Sequence, residues 1–267
     1  MPEGPLSTRM MPLPPGFVRF FVGTTEVVCA EYVAAATRTV LGSGTLYRYA
    51  EMHPTVRALA GRGVAYAATL PGDVERVVVR HNRHGGLLAS LTRDLFRPPS
   101  RAPYELATSE RLRRAGVATP TMLGYALYPA LPGFCRVDVM SREVSDSFDL
   151  SSVLLDADRA RRNEAWLATR RLVASLNEIG ARHHDLNVKN VLLRHAPRGG
   201  FEALVLDVDR VEFVPLGSGV AEANVARLVR SARKWQTKWG AQITDAELAE
   251  LAQFLGGDQR PPASTRS

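Results

Sequence analysis

Hydrophobic positions along the chain fall into two kinds of pattern. Short runs rich in β-branched and aromatic residues, bounded by Gly, Pro or Asn, read as strands at 17–28, 64–70, 75–80, 122–128, 135–140, 191–193 and 203–206. Longer stretches with apolar residues every three or four positions read as helices at 104–115, 161–180 and 224–239. The stretch 31–49 mixes alanines with apolar residues and contains helix broken near Gly42-Ser43-Gly44. In the helix at 161–180 the apolar stripe runs through Trp166, Leu172, Val173, Leu176 and Ile179, spacing that fits core packing. Strands dominate the first half and helices the second, an α+β arrangement.

Two of the strands frame polar residues at informative spacing. Asp185 and Asn190 stand five apart in H-x-D-x-x-x-x-N, directly before the apolar run at 191–193. A turn containing Pro197, Gly199 and Gly200 follows, and the next strand ends at Asp207. Phosphoryl transfer from ATP needs one carboxylate to orient the attacking hydroxyl, and a second carboxylate with an amide to hold Mg2+ on the phosphates. Asp185, Asp207 and Asn190 suit those three tasks, because Mg2+ prefers oxygen ligands. Lys189, four residues after Asp185, is placed to approach the transferred phosphoryl group or to face solvent. His183 reads as a packed framework residue, and His184 stands where many protein kinases carry Arg, so control by a phosphorylated activation loop is not expected. Asp209 is suited to pairing with Arg210.

Upstream, Gly61-Arg62-Gly63 leads into a strand, then the Pro71-Gly72-Asp73 turn, then the strand ending at Arg80. A glycine loop of this kind lets backbone amides approach phosphates, though a lone G-x-G also fits an ordinary hairpin turn. Arg80 takes the place of the nucleotide-binding Lys of protein kinases. Guanidinium offers several donors where Lys offers a point charge. Glu105, at the start of the helix at 104–115, is the expected partner of Arg80, with Glu110 on a different face as the competitor.

The loop H-x-D-L-N-x-x-N, the D-x-D-R after it, and the segment 77–86 with Arg80, His81, Arg83, Gly85 and Gly86 resemble the 3-deoxy-D-manno-octulosonic acid (Kdo) kinases of the lipopolysaccharide kinase group. The resemblance spans about residues 57–240 and includes a stretch in the helix at 224–239 ending in Lys234-Trp235. It implies a two-lobed protein-kinase-like fold. With 60 residues after Asp207 and no A-P-E segment among them, a shortened C-lobe is expected. The organisation expected is a flexible leader at 1–16, an N-terminal extension and N-lobe at 17–140, a hinge and C-lobe at 141–255, and a flexible tail at 256–267, with adenine against the hinge at 141–144. The resemblance also implies ATP and Mg2+ as cofactors. Gly61, Gly63, Arg80 and Glu105 would bind the nucleotide, Asn190 and Asp207 the metal, and Asp185 and Lys189 would act in transfer to a hydroxyl of Kdo in a lipid A precursor. Another core sugar, a small sugar-like metabolite, or a silent kinase-like binding protein are the alternatives.

Composition narrows the setting. Lys and Arg total 34 against 27 Asp and Glu, a formal net charge of +7 that favours anionic partners. Neither zinc-knuckle spacing nor interleaved aromatic and basic residues accompanies that charge, so nucleic acid is not the expected partner. Cys29 and Cys135 are too far apart for a metal-binding C-x-x-C and read as free cytosolic thiols. No apolar run reaches the roughly 18 residues of a membrane span. Arg227, Arg230, Arg233, Lys234 and Lys238 instead give the helix at 224–239 a basic face, joined by Arg83, Arg93 and Arg97 elsewhere, that suits an anionic membrane surface. The expected location is therefore cytoplasmic, peripheral to the cytoplasmic face of the inner membrane.

Overall fold

The computed structural model describes residues 12–59, 64–83, 94–98 and 100–254, with side chains to residue 251. Two compact units divide the chain: the first runs to residue 110 and adds 120–143, and the second comprises 111–119 and the chain from 144 onward.

The first unit is built on β1 (Phe17–Val22), β2 (Thr25–Ala30), β3 (Arg57–Leu59), β4 (Ala65–Thr69), β5 (Arg76–His81), β6 (Met122–Pro129) and β7 (Cys135–Arg142). These strands form one antiparallel sheet in the order β1-β2-β6-β7-β5-β4-β3. The extended stretch expected at 17–28 is in fact a hairpin, broken at Gly23, whose φ of +57° is a turn conformation costly for most residues. Helices α1 (Ala34–Leu41) and α2 (Leu46–Glu51) pack with Val27, Val77, Val79 and Met140, while helix α3 (Ala102–Arg114) contributes Ala102 and Leu106 to a separate cluster with Val28, Tyr125 and Val139. Period-two alternation along β5 therefore sends Val77, Val79 and His81 toward α1 and α2, and Val78 and Arg80 to the opposite face. Residues 12–16 have no regular secondary structure, yet Leu13 packs against the cluster that contains Leu106.

The second unit contains β8 (Ser147–Asp149), α4 (Leu150–Val153), α5 (Arg159–Glu178), β9 (Ala181–His183), β10 (Val191–His195), β11 (Phe201–Val205), β12 (Val211–Phe213), α6 (Val220–Trp239) and α7 (Asp245–Phe254). Its strands make a sheet β11-β10-β8 and a ladder β12-β9. Helix α5 starts where Asp158 accepts from the N–H groups of Ala160 and Arg161, and buries Trp166, Leu172, Val173 and Leu176 against Leu193, Val205 and Leu228. Helix α6 begins one turn before the expected Asn224. Helix α7 was not anticipated, although Thr244 and Glu247 form the reciprocal capping box that announces it: Thr244 N–H donates to Glu247 Oε2 at 2.6 Å and Glu247 N–H to Thr244 Oγ1 at 3.2 Å.

Candidate active site

In the second unit the loop 184–190 is strung between β9 and β10 and is fixed from beneath. Gly180 makes the close approach that starts it: at φ +67°, a Cβ there would lie 2.3 Å from the carbonyl oxygen of Val214. His183 follows, fully buried. Its Nε2 lies 2.9 Å from the carbonyl oxygen of Leu206, and its Nδ1 accepts the N–H of Asp185 at 3.1 Å. A ring that donates at one nitrogen and accepts at the other is neutral, and burial pushes its pKa below the ordinary value, against the opposing pull of Asp207, Asp185 and Asp209. His183 thereby ties the residue before Asp207 to Asp185 itself.

Asn224 of α6, also fully buried, anchors this frame. Its Oδ1 accepts His183 N–H, and its Nδ2 donates to Asn177 Oδ1 and to the carbonyl of Ala181, each at 2.9 Å. An unpaired buried amide would be costly; here all three bonds are satisfied.

Asp185 is wrapped by two amides. Asn187 Nδ2 donates to its carbonyl at 2.9 Å and to its Oδ1 at 3.3 Å, and Asn190 Nδ2 donates to the same carbonyl at 2.8 Å. With its amide nitrogen so engaged, Asn190 has its Oδ1 left for a ligand. Leu206 N–H donates to the carbonyl of Asn190 at 2.9 Å, which brings Asp207 to the loop. Asp207 adopts φ +53°, ψ +46°, a left-handed conformation uncommon outside glycine. Among the described residues its carboxylate has no hydrogen bond or ion pair. One carboxylate and one amide oxygen are the few hard protein ligands a phosphate-bound Mg2+ takes, the rest of its shell coming from phosphate and water. No group of three or more His, Cys, Asp or Glu that could hold a metal gathers among the described residues, so a wholly protein-built cage is not what these side chains offer. Asp209 meets Arg210 at 3.6 Å.

Lys189 is exposed, with Nζ 5.7 Å from the centre of the Trp235 ring. It also acts on Asp149, whose pKa burial raises and Lys189 lowers, with the net shift upward. His184, its Nε2 2.9 Å from Glu212 Oε2, lies at the surface.

The first unit contributes a different set. Arg80 Nη2 pairs with Glu105 Oε1, and Glu105 is buried while Arg80 is about a third exposed. The pairing follows from the alternation along β5 that directs Arg80 away from α1 and α2. Gly61 and Gly63 lie outside the described residues, as does Arg93. The segment expected as a hinge begins as strand: Ser141 and Arg142 belong to β7, and Glu143 is tied to the sheet by Arg57, by Arg76 Nε at 2.6 Å, and through its own N–H to the Arg76 carbonyl at 2.9 Å.

His81, which sequence reading left without a role, lies between two carboxylates. Nδ1 is 2.6 Å from Asp138 Oδ1 and Nε2 is 3.2 Å from Asp94 Oδ2, and its pKa is raised, chiefly by the Asp138 hydrogen bond against the cost of burial. Asp138 is fully buried and also accepts Tyr47 N–H at 2.9 Å, while Arg136 holds Asp94 at 2.8 Å. Asp138 among the apolar run Val137, Val139 and Met140 of β7, like Asn224 in the stripe of α6, was a polar residue at a core position, the one signal in sequence that could have marked either.

Comparison with known proteins identifies the family. Residues 49–254 match the model of the lipopolysaccharide kinase (Kdo/WaaP) family. A 3-deoxy-D-manno-octulosonic acid kinase of Haemophilus influenzae is 27% identical over 245 residues, 88% of this chain and 92% of that protein. One of Vibrio vulnificus is 29% identical over 202 residues, 73% of this chain and 80% of that protein. The solved structure of WaaP in complex with acyl carrier protein superposes with a TM-score of 0.52 over 84% of this chain and 86% of its own, at 17% identity, and shares the kinase-like α+β fold. The chain is a kinase and belongs to the lipopolysaccharide kinase (Kdo/WaaP) family.

Proposed function

We propose that the protein transfers the γ-phosphoryl group of ATP to a hydroxyl of Kdo carried on a lipid A precursor. The observation that carries this reading is the joining of Asp185, Asn190 and Asp207 by the Asn190 Nδ2 bond to the Asp185 carbonyl and the Leu206 N–H bond to the Asn190 carbonyl. Kdo as the acceptor rests on the relatives that bear that name.

Asp185 orients the sugar hydroxyl and takes its proton late, as the bond from the sugar oxygen to phosphorus forms and the bond to the ADP oxygen breaks. Asn190 through Oδ1 and Asp207 through its carboxylate would hold Mg2+, which when bound would neutralise charge on the phosphate oxygens. Arg80, paired with Glu105, is assigned to the nucleotide phosphates, as are the backbone amides of Gly61 and Gly63. Lys189 adds positive charge near the transferred group. His183 and Asn224 bind no substrate and position the loop.

Among the described residues no helix is long and apolar enough to cross a membrane. We assign contact with the anionic cytoplasmic surface of the inner membrane to α6, where Arg230, Arg233 and Lys234 are exposed and Arg227 partly so. The test is incubation of the purified protein with ATP, Mg2+ and lipid A precursors with and without Kdo, read by mass spectrometry. One added phosphate on the Kdo-bearing precursor alone is the expected result. Phosphate on the Kdo-free precursor, or on a heptose-bearing acceptor in preference, would redirect the assignment.

A further inference from the structure

Helix α6 outruns the core it packs on. The stripe that buries Val225, Leu228 and Ala232 continues through Trp235 and Trp239, but Trp235 is only partly buried and Trp239 is 44% exposed. Their rings stack, with centroids 4.5 Å apart and planes inclined by 33°. Lys238 Nζ lies 4.8 Å from the centre of the Trp239 ring, and Lys189 Nζ 5.7 Å from that of Trp235. An exposed tryptophan pair leaves a large apolar area in water. Ammonium groups over both rings add attraction for an anion at the same spot.

The pair is also joined to the reacting loop. Val188 N–H donates to Ser231 Oγ at 3.3 Å, one turn before Trp235, and Lys189 belongs to the loop that holds Asp185. Whatever rests on the Trp235 ring therefore also meets Lys189, four residues from Asp185 on the same loop. A bilayer would match the rings and cations equally well, but would not need them tied to the loop.

We propose that Trp235 and Trp239 form the platform for the acceptor sugar, a carboxylated pyranose whose C–H face stacks on the indoles while Lys238 meets its carboxylate. This rests on the phosphotransferase reading above and adds how the acceptor is recognised. The basic residues Arg230 and Lys234 lie on the same helix, so a sugar attached to a membrane lipid would reach the rings from the surface that α6 docks on.

Binding can be read without turnover. Trp166 is buried, so the exposed pair should dominate any change in tryptophan fluorescence when free Kdo is added without nucleotide. Kdo should shift the emission of the full-length protein, neutral glucose should do so weakly, and Trp239→Ala should weaken Kdo binding about ten-fold. In the transfer assay the same variant should raise the acceptor KM by a similar factor and leave the ATP KM and the melting temperature close to wild type. Lys238→Gln should weaken Kdo binding while leaving the glucose response unchanged. Absence of any Kdo response in the wild type, Kdo binding by Trp239→Ala equal to wild type, or parallel losses of nucleotide binding and thermal stability would overturn the platform. So would a Trp239→Ala protein that keeps Kdo but releases anionic vesicles. If Kdo binds through Trp239 but no Kdo acceptor is phosphorylated, the platform stands and the proposed reaction falls.

Discussion

Arg80 in the first unit and Asp207 in the second are both charged residues assigned to phosphate chemistry, but the two units treat these charges in opposite ways. In the first unit the charges are paired within the protein: Arg80 with Glu105, His81 with Asp138 and Asp94, and Glu143 with Arg57 and Arg76. In the second unit the framework is neutral. His183, Asn224, Asn187 and Asn190 bond mainly to backbone groups, with Asn177 and the Asp185 carboxylate as the side-chain partners, and Asp207 is left without an ion pair among the described residues. A carboxylate held in a strained backbone conformation, with no ion pair among the described residues, is poised to take a cation from outside. A guanidinium already braced by a buried carboxylate is poised to meet phosphate without reorganising. The first unit fixes a charge; the second reserves one.

The sharpest way to break this contrast is to remove the carboxylate charges of the second unit's loop. Asp185→Asn and Asp207→Asn should each lower phosphate transfer by about 10²–10⁴-fold in the mass-spectrometric assay. Circular dichroism and melting temperature should stay near wild type, because neither change removes core volume. Near-normal turnover by either variant would remove that residue from the mechanism.

The braced charge should behave differently. Arg80→Lys keeps the charge but loses the fork, and should retain part of the activity, whereas Arg80→Gln and Glu105→Gln should each lose most of it. A double-mutant cycle on the two residues should give a coupling of about 0.5–3 kcal/mol, since a contacting pair is not independent. Strictly additive losses would return Glu110 to consideration as the partner.

These two expectations rest on residues that sequence could locate, for different reasons. Asp185, Asn190 and Asp207 were legible because phosphoryl transfer demands particular groups at fixed separations on either side of two apolar strands. The Arg80–Glu105 partnership followed from the helix at 104–115 and the strand before it. The network beneath was not legible. Asn224 lies 41 residues from His183, and Asp138 lies 57 from His81, so each bond depends on tertiary packing that no local pattern encodes. The turn at Gly23 and the capping box at Thr244 were local and could have been read; they were lost among longer apolar runs.

The two histidines offer a finer test of the same contrast. His183 is neutral when folded with its pKa depressed by burial, so it contributes stability above the unfolded value of 6.5 that is lost as pH falls through the folded pKa. His81 has its pKa raised by Asp138, and Asp94 adds to the rise, so its contribution is fully present below 6.5 and is lost as pH rises through the folded pKa. Arg136, Tyr47 and Tyr128 also face this cluster. Denaturant midpoints across pH should therefore fall on both sides of an optimum. His81→Gln should flatten the alkaline limb and leave the acid limb, and the reverse selectivity would contradict the assignment.

The smallest expected effect on the chemistry itself comes from the membrane-facing charges. Replacing Arg227, Arg230, Arg233 and Lys234 by Gln should reduce sedimentation with anionic vesicles, by about 1 kcal/mol per residue in contact with the surface, and more salt should reduce wild-type binding too. Transfer to a soluble, deacylated Kdo acceptor should be unchanged. Equal binding of wild type and variant to anionic and neutral vesicles would exclude α6 as the docking surface.

Titration calorimetry of ATP with and without Mg2+, on the wild type, Asp207→Asn and Asp185→Asn, tests the division of labour most directly. The account predicts that Mg2+ tightens ATP binding to the wild type and to Asp185→Asn alike, and that Asp207→Asn loses most of this enhancement. Mg2+-dependent binding that survives in Asp207→Asn but collapses in Asp185→Asn would contradict it.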